Sequence, residues 1–124
     1  GRTLQAEKLE NCWLDSNKRY YGEALIVDKE LASEWSRIPH FYTPFYVYKY
    51  ATGYSAATAF AASILNGEEG AVEKYLGFLH AGGSDYSLNI LKNAGVDLNT
   101  PQPVTVTLQK FAEKVAELKK LLGK

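Results

Sequence analysis

A chain of 124 residues, 46% of them hydrophobic, can fill one ordinary core without a covalent staple. Fourteen basic residues balance fourteen acidic ones, so no overall field draws the chain to nucleic acid or to an anionic membrane. The lone Cys12 excludes an internal disulfide and a cysteine-built zinc cluster, and no apolar run approaches the roughly 20 residues that cross a bilayer.

The opening run Gly1 to Glu7 has no signal-type apolar stretch and no initiator methionine, and the chain holds no methionine at all, as expected of a piece cut from something larger. From Leu4 to Tyr21 the positions Leu4, Leu9, Cys12, Trp13 and Tyr20 fit a helix with one buried side, interrupted by Gly22. Asp28 is placed to cap a short helix to Arg37, with Leu31 and Trp35 on one face, and Pro39 stops it. Thr43 then caps a helix whose first residue is Pro44 and which runs to Asn66, with a disturbance at Gly53. Its alanine-rich second half predicts a helix buried on most sides.

Gly67 starts the next segment, with Glu68 and Glu69 in its first turn and Val72, Tyr75, Leu76 and Leu79 at helical spacing to Ala81. Gly82-Gly83-Ser84 breaks it. A short helix from Tyr86 to Ala94 ends at Gly95, residues 97–103 are loop, and Leu108, Phe111, Val115, Leu118 and Leu122 form the clearest amphipathic stripe, ending at Gly123. The β-prone runs Ala24 to Val27 and Val104 to Thr107 are too short and too far apart to matter. The expectation is an all-α domain over residues 1–124, about six helices in an irregular bundle.

Chemistry concentrates between Ile38 and Tyr50, where His40 precedes a helix start and four tyrosines follow within nine positions. With the helix starting at Pro44, Tyr46 and Tyr50 lie one turn apart on one face, Gly53 continues that face and admits close approach, and Tyr48 points beside Phe45 and Thr52. Phenols and an imidazole N–H can donate to an oxygen that becomes negative during reaction. The plainer reading makes the tyrosines core or interface residues and His40 a loop residue bonded to backbone. His40 and His80 belong to no compact metal-binding pattern, and His80, at the end of its helix, reads as a C-terminal cap interaction rather than a ligand. Gly82-Gly83-Ser84 lacks the lysine and preceding strand of a phosphate loop, and no serine sits in a nucleophile elbow.

The run Ile38-Pro39-His40-Phe41-Tyr42, followed by Phe45 to Gly53 and Ser55-Ala56-Ala57, resembles the C-terminal part of the thimet oligopeptidase and oligoendopeptidase F family of metallopeptidases. So do Asn17 to Gly22, Tyr75 to Leu79 with Gly82-Gly83-Ser84, and Leu91 to Asp97. The resemblance implies a cytoplasmic zinc endopeptidase of mostly helical fold that cleaves short peptides, whose His-Glu-x-x-His helix, general base and further metal ligand all precede this region. It implies that His40, Tyr46 and Tyr48 stabilise the reacting oxygen, that Tyr42, Tyr50 and Gly53 serve substrate binding, and that the chain alone binds no zinc and is inert. Oligopeptides and the remainder of the peptidase are the implied partners. Self-association through an exposed apolar face is also expected, with the alanine-rich helix and Trp13 or Trp35 as candidates. The competing reading is a non-catalytic helical interaction domain with a tyrosine-rich binding surface.

Overall fold

The computed structural model describes residues 3–124; Gly1 and Arg2, the first residues of the N-terminal run, lie outside the described residues. The described residues are all-α: α1 (Ala6–Tyr21), α2 (Tyr48–Leu65), α3 (Ala71–Ala81), α4 (Ser87–Asn93) and α5 (Gln102–Leu121), joined by 3-10 segments Gly22–Ala24, Lys29–Arg37 and Pro39–Tyr42. The five α-helices and the nine-residue 3-10 helix are the six long elements that the sequence implies. Two compact units divide the chain, Gly1–Val47 and Tyr48–Lys124.

In the first unit α1 packs against the 3-10 helix Lys29–Arg37. Leu31 and Trp35 are both half-buried; at three residues per turn Trp35 lines up with half-buried Ala32 and Ile38, and Leu31 with half-buried Glu34. The Ser33 and Ser36 hydroxyls reach back three residues to the carbonyls of Glu30 and Ser33, matching this tighter winding. Asp28 precedes the helix in extended backbone, but its side chain makes no cap hydrogen bond; its carbonyl accepts from Leu31 N–H at 3.2 Å. Ile38 is extended at φ −95° and ψ 103°, as a residue before proline should be, and the helix stops there. None of the unit's described residues is fully buried.

The second unit has a true core. Ala56, Ala59 and Phe60 of α2 meet Ala94 and Val96, with Tyr75, Phe78, Leu91 and Leu98 packed around them. The Phe60 ring stands 5.3 Å from Tyr75 and 5.2 Å from Phe78, centroid to centroid. α2 runs unbroken through Gly53. Gly67 does not start a helix. At φ 69° it ends α2, its N–H bonding to Ile64 O while Glu68 N–H reaches Ser63 O. Glu68 and Glu69 therefore precede α3, whose first turn carries Glu73. α3 turns Ala71, Tyr75 and Phe78 inward and leaves Val72, Leu76 and Leu79 exposed, one register away from the expected stripe.

Gly95, at φ 98°, closes α4 by the same device. Gly95 N–H bonds to Lys92 O and Val96 N–H to Leu91 O, and Leu91 and Val96 meet in the core. The loop after Asp97 is shorter than expected because Pro103, fully buried, occupies the first turn of α5. Val104 to Thr107 are helical, packing along α2 overriding their β propensity.

Candidate functional site

His40 sits in a single 3-10 turn that its neighbours hold from both sides. The Phe41 ring meets Trp13 of α1 edge-on at 5.5 Å and 78°. Tyr42 donates its hydroxyl to the Ser36 carbonyl at 2.7 Å, tying the turn to the preceding 3-10 helix. Thr43 N–H closes the turn on the His40 carbonyl at 3.3 Å. These contacts hold the turn that carries His40.

The chain does not enter a helix at Pro44. Thr43 is extended (φ −105°, ψ 114°), but Phe45 takes φ 55°, a left-handed conformation outside the α-helical range that a helix begun at Pro44 would need, and α2 begins only at Tyr48. Tyr46 is therefore not one turn from Tyr50 on a shared helix face, and Phe45 is not a helix residue beside Tyr48. The turn instead brings Tyr46, half-buried, to His40, with ring centroids 5.4 Å apart and planes tilted by 39°. Phe45 itself is 90% exposed.

Tyr48, Tyr50 and Gly53 belong to the first turns of α2. Tyr48 and Gly53 border a groove of about 1200 Å³ whose floor includes Phe60, Phe78 and Leu91. Thr52 lies one turn from Tyr48 on the same wall and donates its hydroxyl to the Lys49 carbonyl at 3.2 Å. No atom lies within 4 Å of where a Gly53 side chain would begin, so that wall is open. Tyr50 is 57% exposed, with the Lys49 ammonium 6.0 Å from its ring centre. Of this floor, Phe78 is the residue that the expected α3 stripe leaves out; the spacing of Ala71, Tyr75 and Phe78 is the signal that finds it.

Residues 1–110 match the model of peptidase family M3. The chain belongs to this family. It is 48% identical to Oligopeptidase PepF of Bacillus subtilis (strain 168) over 124 residues, covering 100% of this chain and 18% of that protein. Group B oligopeptidase PepB of Streptococcus agalactiae is 40% identical, with 100% and 21% covered. The crystal structure of oligoendopeptidase-F from Enterococcus faecium superposes with a TM-score of 0.93 at 43% identity, over 99% of this chain and 24% of that one. The M3 chain described here thus spans about a fifth of the length of the curated relatives it matches.

Among the described residues no group of three or more histidine, cysteine, aspartate or glutamate side chains could hold an ion. His40 and His80 stand on separate elements, His80 in the last turn of α3, and Cys12 is an exposed thiol on α1. These residues do not fit zinc. Among the described residues no helix is long and apolar enough to cross a membrane.

Proposed function

We propose that this chain is the C-terminal part of a zinc-dependent metalloendopeptidase that hydrolyses short peptides, and that it supplies donors to the reacting carbonyl rather than the metal or the base. The carrying observation is the His40–Tyr46 pair, with ring centroids 5.4 Å apart in an M3 chain. In this reading His40, Tyr46 and Tyr48 donate hydrogen bonds to the oxygen that gains charge as the peptide bond is attacked, while Tyr42, Tyr50 and Gly53 line the path of the substrate backbone. Donors set in advance around a developing oxyanion stabilise the transition state by about 3 kcal/mol each.

The metal ligands and the general base belong to the remainder of the peptidase, so the chain alone is inactive and binds no zinc. Its partners are oligopeptides and that remainder. The cytoplasm, where an exposed Cys12 stays a thiol, is the compartment this reading assigns.

The test is a chimera in which these residues replace the matching stretch of Bacillus subtilis PepF. Peptide hydrolysis by the chimera, absent when the stretch is deleted and absent from the isolated chain, supports the reading. A chimera that folds and binds metal yet hydrolyses no peptide refutes it, and favours an interaction domain whose exposed tyrosines bind a partner.

A further inference from the structure

The last helix leaves an apolar face open. Val104, Leu108, Phe111, Val115, Leu118 and Leu122 recur alternately four and three residues apart, the spacing of a coiled-coil seam. Val115 is half-buried, while Leu108 and Phe111 are 62% and 68% exposed and Leu118 and Leu122 similarly so. α5 meets α2, and its buried or half-buried positions off the seam are Pro103, Val106 and Thr107, all in its first half. The helix is thus partnered near its start and bare along the seam.

Flanking charge narrows what can cover it. Where Leu108 and Val115 take the first seam position, Lys114 and Lys119 fall at the two edges, and no acidic residue occupies an edge position. A second copy of α5 fits poorly, because parallel pairing sets Lys114 against Lys119 of that copy and antiparallel pairing sets Lys114 against its own counterpart. An acidic edge turns both repulsions into attractions. The Glu117 carboxylate that now holds Lys114 at 2.8 Å is an exposed partner on the same helix, easily exchanged.

The matched relatives extend well beyond this stretch, which covers 18% of Oligopeptidase PepF and 24% of the Enterococcus faecium chain. We infer that the α5 seam receives an amphipathic helix with acidic edge positions, contributed by the part of the peptidase outside these 124 residues. The inference rests on the reading that the chain works within a larger peptidase. It goes further in naming the contact and its chemistry.

Thermal unfolding of Leu118→Glu and of the Lys114→Glu, Lys119→Glu double variant tests it, both in the 124-residue chain and in the Bacillus subtilis PepF chimera. In the isolated chain both should be nearly neutral. In the chimera each should lower the midpoint by about 2–4 °C or more, and salt should shrink the loss for the lysine pair. If Leu118→Glu prevents the chimera from folding, the lysine pair still decides. An active chimera in which both substitutions are neutral overturns the seam, and one that the lysine pair stabilises overturns the acidic edge. A concentration-dependent dimer of the isolated chain that Leu118→Glu dissolves makes a second copy the occupant, which also overturns the inference. An inactive unsubstituted chimera counts against the proposed function instead.

Discussion

Tyr46 returns its ring to 5.4 Å from the His40 imidazole although a left-handed Phe45 lies between them in the chain. The conformation of Phe45 is what ends one turn and re-aims the next. It places a half-buried phenol beside an imidazole whose own turn is pinned by Trp13 and Ser36.

Phe45 therefore carries backbone strain with little packing in return, since its ring is 90% exposed. Phe45→Gly should raise stability by roughly 0.5–1 kcal/mol, because glycine adopts this φ freely, and Phe45→Val should lower it by about 1 kcal/mol. Urea unfolding of both variants measures this. A loss on Phe45→Gly would mean that the ring makes contacts the turn depends on.

Phe60 is the keystone of the second unit, 7% exposed and flanked by Tyr75 and Phe78. Phe60→Ala should destabilise the chain by about 3–5 kcal/mol through lost burial and the cavity left behind. A measured change under about 1 kcal/mol would place the core elsewhere.

Gly53 interrupts neither the course of α2 nor any close contact. In the isolated chain Gly53→Ala should stabilise the helix by about 1 kcal/mol, the ordinary difference between the two residues in a helix interior. In the chimeric peptidase the same change should raise KM for peptides, because the proposed substrate path loses its open wall. Unchanged KM would remove Gly53 from that path.

Asp97 gives the fold a pH dependence. Its carboxylate accepts from the Asn99 backbone N–H at 3.0 Å, the Asn99 side-chain amide at 2.9 Å and Lys92 at 3.1 Å, and these bonds, Asn99 first, hold its pKa below the ordinary 3.8. A carboxylate with a lowered folded-state pKa contributes stability that is fully present above the unfolded value and lost as pH falls through the folded one. Stability should fall as pH drops below about 4, and Asp97→Asn should flatten that limb while leaving the near-neutral slope unchanged. An unaltered acid limb in Asp97→Asn would exclude this carboxylate as a source.

Where local chemistry decided the outcome, the sequence reading was accurate: the stop at Ile38 before Pro39, the left-handed Gly95, and the helix α5, although Leu108, Phe111, Leu118 and Leu122 of its stripe stay exposed. It failed where tertiary packing chose between locally acceptable options. Thr43-Pro44 is a good helix start, yet Phe45, a residue with no marked liking for left-handed backbone, takes that conformation and delays α2 to Tyr48. Gly67 suits the end of one helix as well as the start of another, and its hydrogen bonds choose the former. The slip in α3 arose because Val72, Leu76 and Leu79 compose an apolar face as convincing as Ala71, Tyr75 and Phe78; only the position of Phe60 distinguishes them. Of the candidate site, the residue types were visible and the His40–Tyr46 pairing was not, because it depends on that unexpected turn.

Turnover is the most direct test of the central claim. In the chimeric peptidase, His40→Ala, Tyr46→Phe and Tyr48→Phe would each be assayed for peptide hydrolysis, with metal content and unfolding midpoint checked in parallel. The account predicts a fall in kcat of about a hundredfold to a thousandfold for a donor to the oxyanion, with metal retained and folding intact. Unchanged kcat in all three variants would contradict it and return these side chains to packing or to an interface.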